Sequence, residues 1–145
     1  MQMNPLSMFE PSGRVSSAAR RWSRVLLVED DGEMRSLLAD LLRGEGYVVE
    51  VANDGMKAAR TLFQGDGALE DFDLIITDQR MPGFDGLSLI KAVHRAFGPP
   101  VILLSAFATE ELVANGESAG AVAVLPKPFD VRHLLALVHD VAADA

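Results

Sequence analysis

The chain has 145 residues, no cysteine and a formal net charge of −8, with 21 acidic and 13 Lys and Arg side chains. This length predicts one domain with a real hydrophobic core, and the lack of cysteine excludes disulfides, thiolate nucleophiles and Cys-based zinc sites. The acidic balance argues against direct nucleic-acid binding and no apolar run approaches the roughly 18 residues of a membrane helix, so we expect a cytoplasmic protein without membrane contact.

Residues 1–23 show no helical or strand period. They mix proline, glycine, serine and arginine, so we interpret them as a disordered N-terminal tail before a folded region at residues 24–145. In that region short apolar runs alternate with helical patterns, which predicts buried parallel strands with helices on both faces of the sheet. The predicted strands are residues 24–28, 47–52, 74–77, 101–104 and 122–125.

Apolar residues at spacings of three and four predict the first three helices. The first covers residues 32–43, the second follows a cap at Asn53 or Asp54 and ends at Gly65 and Gly67, and the third covers residues 86–97. We expect their core-facing stripes to contain Met34, Leu37, Leu38, Leu41, Leu42, Met56, Ala59, Leu62, Phe63, Leu89, Ile90, Val93 and Phe97.

The last two helices differ in strength. The fourth, at residues 109–119, contains Asn115 and Gly116, and its weak helical preference indicates either a mobile element or merely a short surface helix. The fifth covers residues 130–142 with Asp130 as its cap. The histidines on the predicted helices are interpreted as solvated or hydrogen-bonded structural side chains: His94 on the third helix, and His133 and His139 on the fifth.

Polar residues come after four of the predicted strands. Glu29 and Asp30 follow the first strand, Asp78 the third, Ser105 the fourth and Lys127 the fifth. Because the carboxyl ends of parallel strands meet at one edge of a sheet, these groups should converge there. Three carboxylates, a hydroxyl and an ammonium predict a site for a divalent metal and a phosphoryl group.

Four segments carry a resemblance to the receiver domain of two-component response regulators: VLLVEDDGEMR, DLIITDQRMPGFDG, ILLSA and LPKPF. Each is weak alone, but they occur in order and with the right spacing, and the similarity covers about residues 24–143. The resemblance implies that residues 24–145 form a flavodoxin-like, doubly wound α/β domain. Its five-stranded parallel sheet would have the order 2-1-3-4-5, with five helices.

The resemblance also implies the roles of the acidic residues. Asp78 matches the phosphoacceptor and contacts Mg²⁺, Asp30 is the direct metal ligand, Glu29 acts beside it through water, and the backbone carbonyl of Arg80 is a further ligand. From the residues alone, the acidic run before the first helix is more typical of capping, with Asp31 as a candidate cap, and Asp78 could equally be a turn aspartate.

Lys127 and Ser105 match the family residues that pair with the phosphoryl group and move to meet it, so we assign the switch to them. The resemblance implies a cis Lys127–Pro128 bond. Two departures affect the switch. Val124 stands where the family usually has Tyr or Phe, and the large Phe107 lies where the family tunes phosphoryl lifetime. Phe107 is therefore interpreted either as part of the readout or as a shield.

The function implied is a signalling receiver that takes a phosphoryl group from a histidine kinase or phosphotransfer protein onto Asp78 with Mg²⁺. It would not be an enzyme, since it would catalyse only its own phosphorylation and dephosphorylation, and it would switch a face of the fourth helix, fifth strand and fifth helix for a partner or its own dimer. The chain could also be a receiver fragment of a hybrid kinase or DNA-binding regulator. A remote alternative is a Mg²⁺-dependent aspartyl phosphatase, but Arg80 stands where that class has a second aspartate.

Overall fold

Five parallel strands form one sheet in the order β2–β1–β3–β4–β5. The structure, a computed structural model, describes residues 23–64 and 69–143. The strands are β1 (Arg24–Val28), β2 (Val48–Ala52), β3 (Leu74–Asp78), β4 (Val101–Ser105) and β5 (Ala123–Pro126). Five helices connect and follow them: α1 (Gly32–Gly44), α2 (Gly55–Phe63), α3 (Gly86–Arg95), α4 (Glu110–Ala119) and α5 (Val131–Ala143).

The observed architecture confirms the fold expected from the sequence. Of the tail expected at residues 1–23, residues 1–22 lie outside the described residues, as do Gly65 and Gly67. Ser23 is described, and it is buried and accepts from Val48 N at 3.0 Å. In the described part of the chain, no helix combines the length and apolar character needed to cross a bilayer.

The core lies on both faces of the sheet. Alternate residues of β1 face opposite sides, so Val25 and Leu27 pack with α1 and α5, while Leu26 and Val28 pack with α2, α3 and α4. All five residues of β3 and of β4 are buried. Continuous burial explains their unbroken apolar runs, because a central parallel strand has no solvent face.

Four strands differ from the prediction by one residue. β2 begins at Val48 rather than at residue 47, β3 and β4 end at Asp78 and Ser105 rather than at residues 77 and 104, and β5 covers Ala123–Pro126 rather than 122–125. Val122 is half exposed and lies before the strand, although its amide still donates to Val101 O at 2.9 Å. These shifts leave the strand ends that carry the polar residues in place.

The predicted core stripes of three helices are wrong in part. Leu37 of α1 is 50 % exposed and Ala39 is buried instead. In α2, Met56 and Phe63 are 49 % and 42 % exposed. The reason lies at the start of α2, where a Cβ built on Gly55 would lie 1.8 Å from Phe84 O. With α2 held this close, its buried face consists of Gly55, Ala58 and Leu62, and Met56 and Phe63 lie outside that face.

Phe97 is the clearest correction. The sequence places it on the buried stripe of the third helix, but α3 ends at Arg95 and Phe97 is 97 % exposed. Its φ of 57° is left-handed, and the amide of Gly98 donates back to Val93 O at 2.9 Å. The chain therefore reverses at the helix terminus, and the reversal turns the aromatic side chain into solvent.

Side-chain caps fix where the helices begin. Asp31 accepts from Glu33 N and Met34 N at α1, Asp54 accepts from Lys57 N at α2, and Asp85 accepts from Ser88 N at α3. Thr109 caps α4, and Asp130 accepts from Arg132 N at 2.8 Å before α5. These bonds satisfy amides that have no partner within a helix.

Candidate functional site

The polar residues at the strand ends meet at the carboxyl edge of the sheet. Backbone bonds extend the strand pairing up to this edge, with Gln79 N donating to Leu104 O at 2.9 Å and Lys127 N donating to Ser105 O at 2.7 Å. The residues after β1 are held in the same way, since Glu29 N donates to Ala52 O at 3.1 Å. The site is therefore built on the ends of rigid strands.

Three carboxylates form the centre of the site. Glu29, Asp30 and Asp78 each place one oxygen within 4.8 Å of the others. Glu29 is 1 % exposed and Asp78 7 % exposed, while Asp30 lies on the surface. Oxygens of this kind are the hard ligands that Mg²⁺ prefers, and three close carboxylates carry more negative charge than the one nearby ammonium, that of Lys127, offsets. The residues present therefore fit a magnesium ion.

Lys127 supplies a positive charge inside this cluster. Its Nζ lies 2.9 Å from Glu29 Oε1 and 3.2 Å from Asp78 Oδ1. Burial acts to lower the pKa of Lys127, but the hydrogen bond with Glu29 and the charges of Asp78 and Glu29 outweigh it and raise the pKa above its usual value. Lys127 is thus held as an ammonium between the two carboxylates.

Glu29 is the most constrained of the acids. Burial raises its pKa, which the hydrogen bond from Lys127 opposes in part. Its second oxygen, Oε2, accepts from Asp31 N at 3.2 Å. By contrast, the carboxylate of Asp30 receives no hydrogen bond from the residues that the structure describes. Of the two neighbours, Asp30 is therefore the one with free oxygens.

Two residues near the acids were not identified from the sequence. Arg35 donates from Nη1 to Glu29 O at 2.9 Å, which fixes the loop that carries both acids. Gln79 accepts from Leu87 N through Oε1 at 2.9 Å, which ties the residue after Asp78 to the first turn of α3. The two contacts join residues six and eight positions apart in the sequence. The only signal for them in the sequence is the presence of a basic or amide side chain near the acidic motif.

The carboxylate of Asp78 has one held and one free oxygen. Oδ1 accepts from Gln79 N at 3.0 Å and contacts Lys127, whereas Oδ2 makes no hydrogen bond within residues 23–64 and 69–143. The side chain of Asp78 is 10 % exposed. A Cβ on Gly86 would lie 2.6 Å from Asp78 O, so the start of α3 packs directly against the backbone of Asp78.

A cavity of about 510 Å³ opens beside Asp30. Its lining includes Gln79, Arg80 and Met81 of the loop after β3. The expected ligand role of the Arg80 carbonyl stays a prediction, although this loop borders the acidic cluster.

The expected switch residues lie on the opposite side of Asp78. Ser105 is 2 % exposed, and its Oγ accepts from Phe107 N at 3.1 Å. Phe107 is 59 % exposed and packs under the guanidinium of Arg80. Val124 is half-buried, and a Cβ on Gly116 would lie 2.9 Å from its Cγ2. The Lys127–Pro128 bond is cis.

Comparisons with known sequences agree with this geometry. The family model described as response regulator receiver domain matches residues 25–139. Transcriptional regulatory protein CpxR of Escherichia coli K12 is 39 % identical over 116 residues, which are 80 % of this chain and 47 % of CpxR. Transcriptional regulatory protein PdtaR of Mycobacterium tuberculosis H37Rv is 37 % identical over 113 residues, 77 % of this chain and 53 % of PdtaR. The chain spans about half the length of these relatives.

Solved structures give the same result. The receiver domain of Francisella response regulator 1452 has a TM-score of 0.76 at 29 % identity, over 84 % of this chain and 98 % of that one. Response regulator TrrA of Thermotoga maritima, solved in complex with Mg²⁺–BeF, has a TM-score of 0.70 at 29 % identity, over 82 % of this chain and 98 % of TrrA. With the acidic cluster, the lysine and the sheet order in place, the chain belongs to the receiver domains of two-component response regulators.

Proposed function

We propose that this receiver accepts a phosphoryl group from a phosphohistidine onto Asp78 in a Mg²⁺-dependent reaction. The observation that carries the proposal is the state of the Asp78 carboxylate. One oxygen accepts from Gln79 N and contacts Lys127, while the other receives no hydrogen bond from the residues that the structure describes, and the side chain is 10 % exposed. A carboxylate held in this way is oriented for attack without losing its nucleophilic oxygen.

The transfer exchanges one bond for another. The free oxygen of Asp78 attacks phosphorus, the P–N bond to the donor imidazole breaks, and its electron pair returns to the nitrogen. An acyl phosphate on Asp78 results. Hydrolysis later breaks the bond between phosphorus and the Asp78 oxygen, restores the carboxylate and releases inorganic phosphate. On this proposal the protein catalyses only its own phosphorylation and dephosphorylation.

A magnesium ion at Glu29, Asp30 and Asp78, with the Arg80 carbonyl, would offset the negative charge that the carboxylates and the phosphoryl group bring together. Lys127 contributes a positive charge next to both Glu29 and Asp78. The partly exposed ammonium of Lys127 can turn from Asp78 to a phosphoryl oxygen, because it is already within 3.2 Å of Asp78 Oδ1.

The proposed output follows from Ser105. Its hydroxyl can donate to a phosphoryl oxygen if the loop after β4 moves toward Asp78, and this movement would carry Phe107 and the start of α4. A face formed by α4, β5 and α5 would then bind a downstream protein or a second copy of the chain. The cognate donor would be a histidine kinase or phosphotransfer protein in the cytoplasm.

A second candidate concerns the larger protein. Because the chain spans about half the length of relatives named as transcriptional regulatory proteins, it is also consistent with the receiver part of a DNA-binding regulator. A receiver fragment of a hybrid kinase fits the same observation. In either case the chemistry at Asp78 would be the same, and the output would belong to another domain.

Phosphorylation by a small donor tests the proposal. The protein is incubated with Mg²⁺ and acetyl phosphate or phosphoramidate, and intact-mass spectrometry follows the addition of one phosphoryl group that hydroxylamine removes. Asp78→Asn should abolish labelling, whereas Asp40→Asn, an exposed carboxylate of α1, should leave it unchanged. Undiminished labelling of Asp78→Asn would refute the assignment, and labelling that persists in excess EDTA would refute the requirement for metal.

A further inference from the structure

A groove of about 500 Å³ lies between α3 and α4. Its lining includes Lys91, His94 and Arg95 from α3, with Asn115 and Ser118 from α4 on the opposite side. None of these side chains takes part in the chemistry proposed at Asp78. The groove is therefore a second concave surface, bordered by basic groups on one side and by hydrogen-bonding groups on the other.

The basic side chains share one face of α3. Lys91, His94 and Arg95 are spaced by three and four residues, which places them side by side along the helix. All three are exposed. In the part of the chain that the structure describes, none of them forms an ion pair or side-chain hydrogen bond. Although the chain has eight more negative than positive charges, this basic face has no acidic partner within residues 23–64 and 69–143.

Compensation of the helix dipole explains this face only in part. His94 and Arg95 lie in the last turn of α3, where positive charge interacts favourably with the carbonyl end. Lys91 lies a turn earlier, and Asn115 and Ser118 belong to a different helix. His94 also packs against the end of α4, since a Cβ on Gly120 would lie 2.7 Å from its Nδ1. The imidazole is therefore fixed as part of the groove wall.

The arrangement suits an extended acidic chain better than a single small anion. Side chains four residues apart on a helix lie about 5–6 Å from each other at Cβ, and alternate residues of an extended strand are spaced by about 6.6 Å. Carboxylates at every second position of a bound segment could therefore meet Lys91 and Arg95 in turn. Asn115 and Ser118 could donate to its backbone carbonyls from the other wall.

We propose that the α3–α4 groove binds an extended acidic peptide segment of a protein partner. The groove shares α4 with the face of α4, β5 and α5 considered above but pairs it with α3 instead of β5 and α5, and it does not require a phosphoryl group on Asp78. The unphosphorylated protein is therefore the right material for the test. Asp78→Asn should bind the peptide as the wild type does, so that this proposal and the proposed phosphorylation can fail independently.

Fluorescence anisotropy provides the measurement. The probe is a fluorescein-labelled peptide of alternating Glu and Ser, and a peptide of alternating Gln and Ser serves as the matched ligand. We expect saturable binding of the Glu peptide that weakens as salt is added, and at least about tenfold weaker binding of the Gln peptide. Amide chemical shifts that change on α3 and α4 would locate the peptide in the groove.

Matched variants identify the side chains that bind. Lys91→Gln with Arg95→Gln should weaken binding by about five- to tenfold, since exposed charge pairs contribute little each. Lys57→Gln with Arg60→Gln removes the same charge from exposed positions of α2 and should change affinity by less than about twofold. Equal losses in the two double variants would reduce the effect to net charge and overturn the proposal.

A second pair of variants guards against loss of fold. Ser118→Asp should repel the acidic peptide from the opposite wall, whereas Ala136→Asp on the exposed face of α5 should not. The absence of saturable binding to the wild type would overturn the proposal. A lower melting temperature of Lys91→Gln with Arg95→Gln at unchanged affinity would also overturn it, because the basic side chains would then serve only to compensate the helix dipole. Tighter binding of a single-stranded oligonucleotide at the same residues would overturn it as well.

Discussion

The guanidinium of Arg80 lies over the ring of Phe107, with Cζ 4.4 Å from the ring centroid. Arg80 belongs to the loop after β3 and Phe107 to the loop after β4, so the contact bridges the two loops that flank Asp78. A cation above an aromatic face is attracted by about 0.5–1 kcal/mol at an exposed site. The pair can therefore hold the two loops together beside Asp78 without locking them in place.

Phe107→Ala should shorten the lifetime of the phosphoryl group on Asp78 by about two- to fivefold, because water then reaches the acyl phosphate more often. Intact-mass spectrometry after removal of the donor follows the decay. Arg80→Ala should have a similar effect, and the double variant should add little if the two side chains act as one shield. An unchanged lifetime with loss of phosphorylation-dependent partner binding or dimerisation would assign Phe107 to the readout instead.

Asp30→Ala should weaken Mg²⁺ binding about tenfold more than Glu29→Ala, because the Asp30 carboxylate is free whereas Glu29 is held by Lys127 and Asp31 N. Isothermal titration calorimetry with MgCl₂ measures the two affinities. Asp40→Ala removes an exposed carboxylate of α1 and should leave the affinity unchanged. Equal losses, or a larger loss for Glu29→Ala, would contradict the order of the two ligands.

Lys127→Ala and Ser105→Ala should still accept a phosphoryl group, more slowly, but lose the conformational response. The reason is that Lys127 bridges two carboxylates and Ser105 anchors the loop through Phe107 N, whereas neither is the nucleophile. Hydrogen exchange or NMR before and after phosphorylation detects the response, with Ser36→Ala on the exposed face of α1 as control. A wild-type response in either variant would end its role in the switch.

Tyr47→Phe should lower the free energy of unfolding by about 1 kcal/mol at neutral pH, the value of one hydrogen bond. The Tyr47 hydroxyl lies 2.6 Å from His139 Nδ1, and His139 Nε2 lies 2.8 Å from Glu45 Oε1. This pair of contacts joins the C-terminal helix α5 to the segment between α1 and β2. Urea unfolding of the wild type and the variant measures the difference.

The same variant should respond differently to pH. Burial raises the pKa of Tyr47 above its usual 10.0, and the charge of Glu45 adds to this. Between the unfolded and folded pKa values the folded state holds more protons, so the free energy of unfolding falls as pH rises through that window. Tyr47→Phe lacks this loss, and the gap between the two proteins should narrow above pH 10.0. A gap that widens would contradict the raised pKa, which absorbance of the single tyrosine reads directly.

Gly116→Ala should destabilise the protein by about 1 kcal/mol, although alanine is the better helix former. The added Cβ would lie 2.9 Å from Val124 Cγ2, so α4 or the valine has to shift. Adding Val124→Ala should recover part of the loss. Gly44→Ala in α1 meets nothing within 4 Å and serves as control in urea unfolding. Additive losses in the double variant would show that the two residues do not press on each other.

The strands and the central acids could be predicted from the sequence because their burial demands an unbroken local pattern. β3 and β4 are buried along their length, and the polar residue that ends each run is visible without a structure. The outward positions of Met56 and Phe97 could not be predicted in this way. The first depends on contact between Gly55 and Phe84, residues far apart in sequence, and the second on a left-handed turn after α3.

The site residues that were not identified from the sequence also owe their roles to specific contacts in the folded protein. Arg35 binds the backbone of Glu29 rather than a charge, and Gln79 binds the amide of Leu87. Neither bond follows from composition, because any long polar side chain at these positions would look solvated in the sequence. The groove between α3 and α4 is similar, since the spacing of Lys91 and Arg95 is local but the opposite wall comes from another helix.

The close contacts at Gly55 and Gly86 restrict movement on one side of Asp78. On one side, backbone touches backbone at Phe84 O and at Asp78 O, leaving no room even for a methyl group. On the other side, Phe107 of the segment after Ser105 is 59 % exposed and meets Arg80 through its ring face rather than through a backbone contact. If Asp78 is phosphorylated as proposed, we expect the added charge to be accommodated where displacement costs least, which would direct the movement to the side that is able to yield.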